Sequence, residues 1–217
     1  MCTGNDFIET GEGSASHGGF VKNANVSGAV GAIKKGELII VPTDTVYGIG
    51  CDPHNDEAVK RLFAVKKRPK NKSIPLLVDS FYVAESIGLF PKYCKVLLHK
   101  HWPGALTVIV RKKESCLISK YVSEKDTIAL RMPNQKDLLH LIKEAGGVLA
   151  VTSANISGER PISNADGLQK AFSRDVSIII DGGIQNGTPS TIINCVGDNP
   201  SIVRQGSVYI ESSTSGD

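Results

Sequence analysis

Long apolar runs are missing from this 217-residue chain, and with them any stretch able to span a bilayer as a helix. Cysteine is sparse and unorganised. Cys2, Cys51, Cys94, Cys116 and Cys195 are scattered, with no C-x-x-C pair, which excludes a disulfide framework and a zinc knuckle and points to a reducing, cytoplasmic setting. The five histidines include one H-x-H, His99 and His101, but on a helix those side chains diverge and no further ligand follows, so no metal site is expected. The Walker A loop, the Rossmann glycine fingerprint, the G-x-S-x-G elbow and H-E-x-x-H are all absent. Charge of one sign is lacking too: 25 Lys and Arg against 22 Asp and Glu leave +3, too little to mark a nucleic-acid binder by itself. The opening "MCTGNDFIETGEGSASHGGF" has neither a basic nor a hydrophobic leader region, so it does not read as a secretory signal, and its lack of Arg argues against an organellar address.

What is present is a chain that is 41% hydrophobic with 22 glycines, enough for one sizeable core with many short loops. Both ends are rich in Gly, Ser and Thr, so residues 1–23 are expected to be disordered, residues 24–212 to form one domain and residues 213–217 to be a tail. Apolar residues at helical spacing predict helices in "VSGAVGAIKKG", "NDEAVKRLFAVKKRP" (capped by Asn55 or Asp56), "PKYCKVLLHKHWPG", "QKDLLHLIKEAGG" and "SNADGLQKAF". Short apolar runs predict strands at "LIIV", "IPLLV", "ALTVIV", "TIALR", "VLAV", "VSIII", "STIINC" and "SIVRQGSV". Seven or eight strands interleaved with four or five helices make an α/β domain. Strands crowd together late in the chain, which favours a twisted mixed sheet flanked by helices over a purely parallel one.

The polar signals share one position: each follows an apolar run, where an α/β sheet presents its ligand crevice. In "KKRPKNKSIPLLV" Lys66, Lys67, Arg68, Lys70 and Lys72 fall where a helix gives way to a strand. "PTDTVYG", "TIALR", "TSAN", "PST" and "VRQG" add hydroxyls and two further arginines. Without a Walker A loop a triphosphate must be held by side chains: Arg as a planar fork, Lys as a point charge, Ser and Thr as neutral donors. Each piece also has a plain structural reading. The lysines can complement a helix dipole, Arg131 and Arg204 can be paired structural residues, and "TSAN" can be a turn with Asn155 left-handed.

The order and wording of "VPTDTVYGIGCD", "K-x-R-P-x-x-K-x-x-P-L", "WPGALT", "IALRMP", "TSAN-x-SG", "DGG", "PSTI" and "VRQG" resemble the YrdC/Sua5 (TsaC-type) family of threonylcarbamoyl-AMP synthases, from about Val26 to Val208. The resemblance implies a YrdC-like α/β twist with a concave basic crevice. The implied reaction joins L-threonine, bicarbonate and ATP into threonylcarbamoyl-AMP and pyrophosphate, for t6A modification of tRNA by a downstream transferase complex. It implies Lys66, Arg68 and Lys72 as catalytic cations, and Arg68, Lys72, Thr127, Ser153, Asn155, Ser163 and Arg204 as ATP contacts. Thr45, Arg131, Val151 and Ser190 are implied for L-threonine, with Mg²⁺ held mainly by the ATP phosphates and no protein metal site. Asp79 stands after "PLLV" where some members carry His, and is left out of the site. The chain ends soon after "VRQGSV", so the short single-domain type is expected. The alternatives are a double-stranded RNA- or tRNA-binding, ribosome-maturation protein without turnover, and the related domain of hydrogenase-maturation carbamoyltransferases, which sits in much longer chains.

Overall fold

The computed structural model describes residues 21–22, 25–123 and 126–210; the disorder expected for residues 1–20 and the tail at 213–217 lie outside the described residues. Chain order is β1 (Val21–Lys22), α1 (Val26–Lys34), β2 (Ile39–Val41), β3 (Gly48–Cys51), α2 (Asp56–Val65), β4 (Leu76–Val78), α3 (Phe81–Ile87), β5 (Gly88–Leu89) and α4 (Lys92–His101). It continues with β6 (Leu106–Lys112), β7 (Thr127–Arg131), α5 (Lys136–Glu144), β8 (Val148–Ser153), α6 (Ala165–Phe172), β9 (Ile178–Ile179), β10 (Thr191–Asn194) and β11 (Ser201–Arg204). Every predicted helix and strand is there. The additions are short: β1 lies inside the segment expected to be disordered, β5 has two residues, and α3 is too brief to show a helical period. Strand β3 reads "GIGC" and was missed because its glycines break the strand pattern.

Polar caps define where the helices start. Asn25 and Asn55 accept from the backbone N–H groups of Gly28 (2.9 Å) and Ala58 (3.0 Å), so Asn55 rather than Asp56 caps α2. The strands form one mixed sheet in the order β1-β9-β2-β3-β8-β4-β7-β6-β10-β11, with β5 added to β6. Pairs β1·β9, β2·β9, β4·β7 and β6·β10 are parallel and the others antiparallel, which is the expected mixed α/β architecture.

The continuous apolar strands have a direct cause in the packing. Ile40, Leu76, Val78 and Ala150 point to the larger core, against α2, α3, α4 and α6; their neighbours Ile39, Val41, Leu77, Leu149 and Val151 point to a smaller core against α1 and α5. Both faces of the central strands are therefore buried, and alternation disappears from the sequence. Helices α1 and α5 cover only one end of their face. Beyond them the same face continues through Arg131, in register with Leu77, and Thr107 and Ile192, in register with each other. This uncovered part of the sheet is the crevice. No helix among the described residues is long and apolar enough to cross a membrane.

Candidate functional site

The crevice holds a cavity of about 210 Å³ whose floor is sheet and whose walls are loops following β2, β8 and the segment before β10. The floor comes unusually close to backbone. A Cβ on Gly48 would stand 2.5 Å from Val151 Cγ1, and one on Gly50 would stand 2.6 Å from the Ala150 carbonyl oxygen, so Val151 can lie across β3 only because glycine is there.

Arg131 closes one end of the cavity. Its Nε donates to the Gly104 carbonyl (3.0 Å), Nη1 to Thr45 Oγ1 (3.1 Å) and Nη2 to Asp44 Oδ1 (2.5 Å), and the Arg131 and Asp44 side chains are only 7% and 14% exposed. Three of five N–H groups are fixed and the guanidinium is pre-oriented. Thr45 is itself braced, since Thr43 Oγ1 lies 3.0 Å from Thr45 Oγ1, accepts from the Thr45 N–H and donates to the Val46 carbonyl (2.7 Å). Thus "PTDT" is a buried polar knot after β2. Across from it, Ser190 Oγ pairs with Thr107 Oγ1 (2.8 Å), and its carbonyl accepts from Arg204 Nε (3.1 Å) and Nη2 (2.8 Å). Burial lowers the Arg204 pKa, and the charge of Arg131 lowers it further, so the two guanidiniums repel one another across the cavity.

The other end is built by the cation loop. Arg68 lines the cavity and is held by its own loop, Nε donating to the Lys72 carbonyl (3.1 Å) and Nη2 to the Ser73 carbonyl (2.6 Å). Burial lowers its pKa from the ordinary value. Ser73 precedes β4, whose Leu77 is in register with Arg131, so the cation loop and Arg131 are presented by neighbouring strands.

Seven of the sequence-derived site residues line this one cavity: Thr45, Arg68, Arg131, Val151, Ser153, Ser190 and Arg204. The rest sit elsewhere. Thr127 shares the crevice face with Arg131 but at the opposite end of β7, about 13 Å away. Ser163 precedes α6, where its carbonyl accepts from Gln185 N (2.8 Å), and Lys72 is exposed. Lys66 is 1% exposed; its ammonium donates to the Asn155 carbonyl (2.6 Å), to Asn155 Oδ1 (3.1 Å) and to the Ser153 carbonyl. Asn155 Oδ1 also accepts from Ser153 Oγ (2.6 Å), and its Nδ2 donates to the Ile156 and Glu159 carbonyls. Lys66 and Asn155 therefore tie the "TSAN" loop to the end of α2 and turn inward, away from the cavity. Asn155 is not left-handed: among the described residues the non-glycine with positive φ is Lys67, at 48°.

Asp44, Thr107 and Tyr47 were given no role by the sequence, although "PTDTVYG" and "WPGALT" contain them. Tyr47, fully buried, accepts from the Gly182 N–H (2.8 Å) and donates to the Gly183 carbonyl (2.8 Å), bringing "VYG" and "DGG" together; burial raises its pKa. Asp79 lies outside the cavity, accepting from Ser80 Oγ (2.7 Å). His99 stacks on Phe81 at 5.0 Å.

An α/β sheet with a polar cavity on one uncovered face is an architecture in which small molecules are bound, and the sequence relatives fall into one family. The Sua5_yciO_yrdC family model, described as "Telomere recombination", matches residues 31–206, and the chain belongs to this family. The threonylcarbamoyl-AMP synthase of Bacillus subtilis (strain 168) is 33% identical over 188 residues, covering 86% of this chain and 54% of that protein. That of Idiomarina loihiensis is 38% identical over 173 residues, covering 75% and 89%. Among solved structures, P. abyssi Sua5 complexed with L-threonine superposes with a TM-score of 0.79 at 32% identity, covering 86% of this chain and 56% of that one. The chain thus spans about half the length of the B. subtilis and P. abyssi relatives and most of the I. loihiensis one.

Proposed function

We propose that this protein is a threonylcarbamoyl-AMP synthase, a nucleotidyltransferase that forms its adenylate and pyrophosphate from L-threonine, bicarbonate and ATP. The observation that carries the reading is the single cavity bounded by Arg131 with Thr45 at one end and Arg68 at the other, with Arg204 between hydroxyls on its wall. Arg131 takes the amino-acid carboxylate with its two remaining N–H groups, because a planar fork suits a carboxylate. Thr45, Ser190 and the strand backbone at Val151 bound the rest of the threonine. Bound there, the repelling pair Arg131 and Arg204 gains an anion between them. Arg68 and Lys72 take the phosphates, and Ser153 faces the same space.

The threonine amine first adds carbon dioxide derived from bicarbonate, releasing water overall and leaving a carbamate. A carbamate oxygen then attacks the α-phosphorus and pyrophosphate leaves with the bond electrons. No residue lining the cavity is placed as a covalent nucleophile in this scheme; the chain contributes position and charge. Lys66 and Asn155 act as positioning residues through the "TSAN" loop, while Thr127 and Ser163, which do not line the cavity, serve as the outlying nucleotide contacts. Mg²⁺ is placed with the ATP phosphates, which supply the hard oxygen ligands that ion takes. The product passes to the transferase complex that makes t6A in tRNA. The four described cysteines are all free thiols, which supports a cytoplasmic setting.

The test is pyrophosphate release from ATP by the purified protein, with L-threonine and bicarbonate together and with each omitted. Release that needs both, with bicarbonate carbon recovered in an adenylate, supports the reading. ATP left intact under every combination overturns it.

A further inference from the structure

The three consecutive cations at the end of α2 point in three directions. Lys66 turns inward to the "TSAN" loop and Arg68 lines the crevice, but Lys67 faces neither. It borders a second cavity of about 560 Å³, on the outer side of α2, with Lys60, Phe63, Arg68, Lys70 and Tyr121. Arg68 is common to both cavities. Lys60 is committed to Glu57 (2.7 Å) and lies over the Tyr121 ring (4.8 Å), whereas Lys67 and Lys70 make no ion pair among the described residues.

Backbone conformation also sets Lys67 apart from its neighbours. The helix ends with the Arg68 N–H bonded to the Phe63 carbonyl (2.9 Å) and the Lys67 N–H to the Ala64 carbonyl (3.0 Å), which places Lys67 at the left-handed position. That position favours glycine, and a lysine there is strained by its Cβ. The preference for glycine is overridden at Lys67, whose side chain borders the second cavity.

We infer that this outer cavity is an oligophosphate site, which receives the pyrophosphate released in the crevice through the shared Arg68 and holds it with Lys67 and Lys70. The inference rests on the proposed synthase reading for the source of its ligand. Two lysines with no ion pair among the described residues, next to a fixed guanidinium, supply point charges for a compact polyanion, and Arg68 lines both cavities.

The test is calorimetric titration of inorganic pyrophosphate into the full chain, free and saturated with a non-hydrolysable ATP analogue, for the wild type and the double variant K67A/K70A. One equivalent of pyrophosphate binding to the analogue-saturated wild type, weakened about tenfold or more in the double variant, is the expected result. First-turnover adenylate formation should be unchanged in that variant, with only multiple-turnover release slowed. No pyrophosphate bound beside the analogue, or equal binding by both proteins, overturns the inference. If ATP stays intact under every combination of substrates, the synthase reading falls, and the free-protein titration still decides: loss in K67A/K70A supports an oligophosphate site and no change removes it. Binding of duplex RNA that depends on Lys67 and Lys70, with pyrophosphate binding unchanged, also overturns it.

Discussion

Replacing Lys66 with Met separates a phosphate-gripping lysine from one that positions a loop. Methionine keeps most of the buried stem and removes the ammonium with its three hydrogen bonds, leaving the Asn155 carbonyl without a donor among the described residues, while the Ser153 carbonyl keeps the Asn155 N–H (3.1 Å) and Asn155 Oδ1 keeps Ser153 Oγ (2.6 Å). Three lost hydrogen bonds to a charged group, at about 2 kcal/mol each, amount to about 6 kcal/mol. Against this stands the cost of keeping a charge in the interior. Burial, with the Arg68 charge adding to it, lowers the Lys66 pKa from 10.5 to about 8, which corresponds to about 3 kcal/mol. The net expectation is a loss of about 3 kcal/mol, or about 6–12 °C in Tm for a domain of this size. The sign with pH follows from proton counts. Between pH 8 and 10.5 the unfolded chain holds the Lys66 proton more tightly than the folded one, so the wild type gains stability as pH rises through that window. The gap between wild type and Lys66→Met should therefore widen above pH 8, as measured by urea denaturation of both proteins across pH 7–9.5. Affinity for ATP should fall in proportion to loop disorder, and threonine affinity with it. A variant as stable as the wild type that has lost ATP affinity alone would refute the positioning role and put the ammonium on the phosphates.

Arg131→Lys keeps the charge but loses the fork; threonine affinity by calorimetry should drop about 30-fold or more while ATP affinity changes little, and equal losses would remove Arg131 from the threonine end. Arg68→Ala should do the reverse, weakening ATP far more than threonine, and the same calorimetric pair checks it. Gly50→Ala sets a methyl 2.6 Å from the Ala150 carbonyl and 2.7 Å from Val151 Cγ2, so it should cost about 1–3 kcal/mol in urea denaturation and raise the threonine KM by moving Val151. An unchanged KM in a folded variant would show that Val151 does not bound the threonine.

The sequence by itself determined the α/β class, every long helix and strand, and the cluster of polar motifs at strand exits. Those features are local: helical spacing in "DEAVKRLFAV", an asparagine cap before it and a buried run such as "LLV" need no distant partner to be read. Resemblance to a family added the names of the cavity residues, and Thr45, Arg131, Ser190 and Arg204 do meet there although they are up to 159 positions apart in the chain. Tertiary structure alone decided what each cation does. "KKR" is one charge run in sequence, yet the helix end carries Lys66 into three carbonyls, leaves Lys67 left-handed on the outside and sets Arg68 between two cavities. The physical reason is that a side chain's partner is fixed by the direction in which the fold points it and by whether water can follow. Asp44 shows the same limit, for its neighbour in space, Arg131, lies 87 residues along the chain, and only sheet register brings the two together.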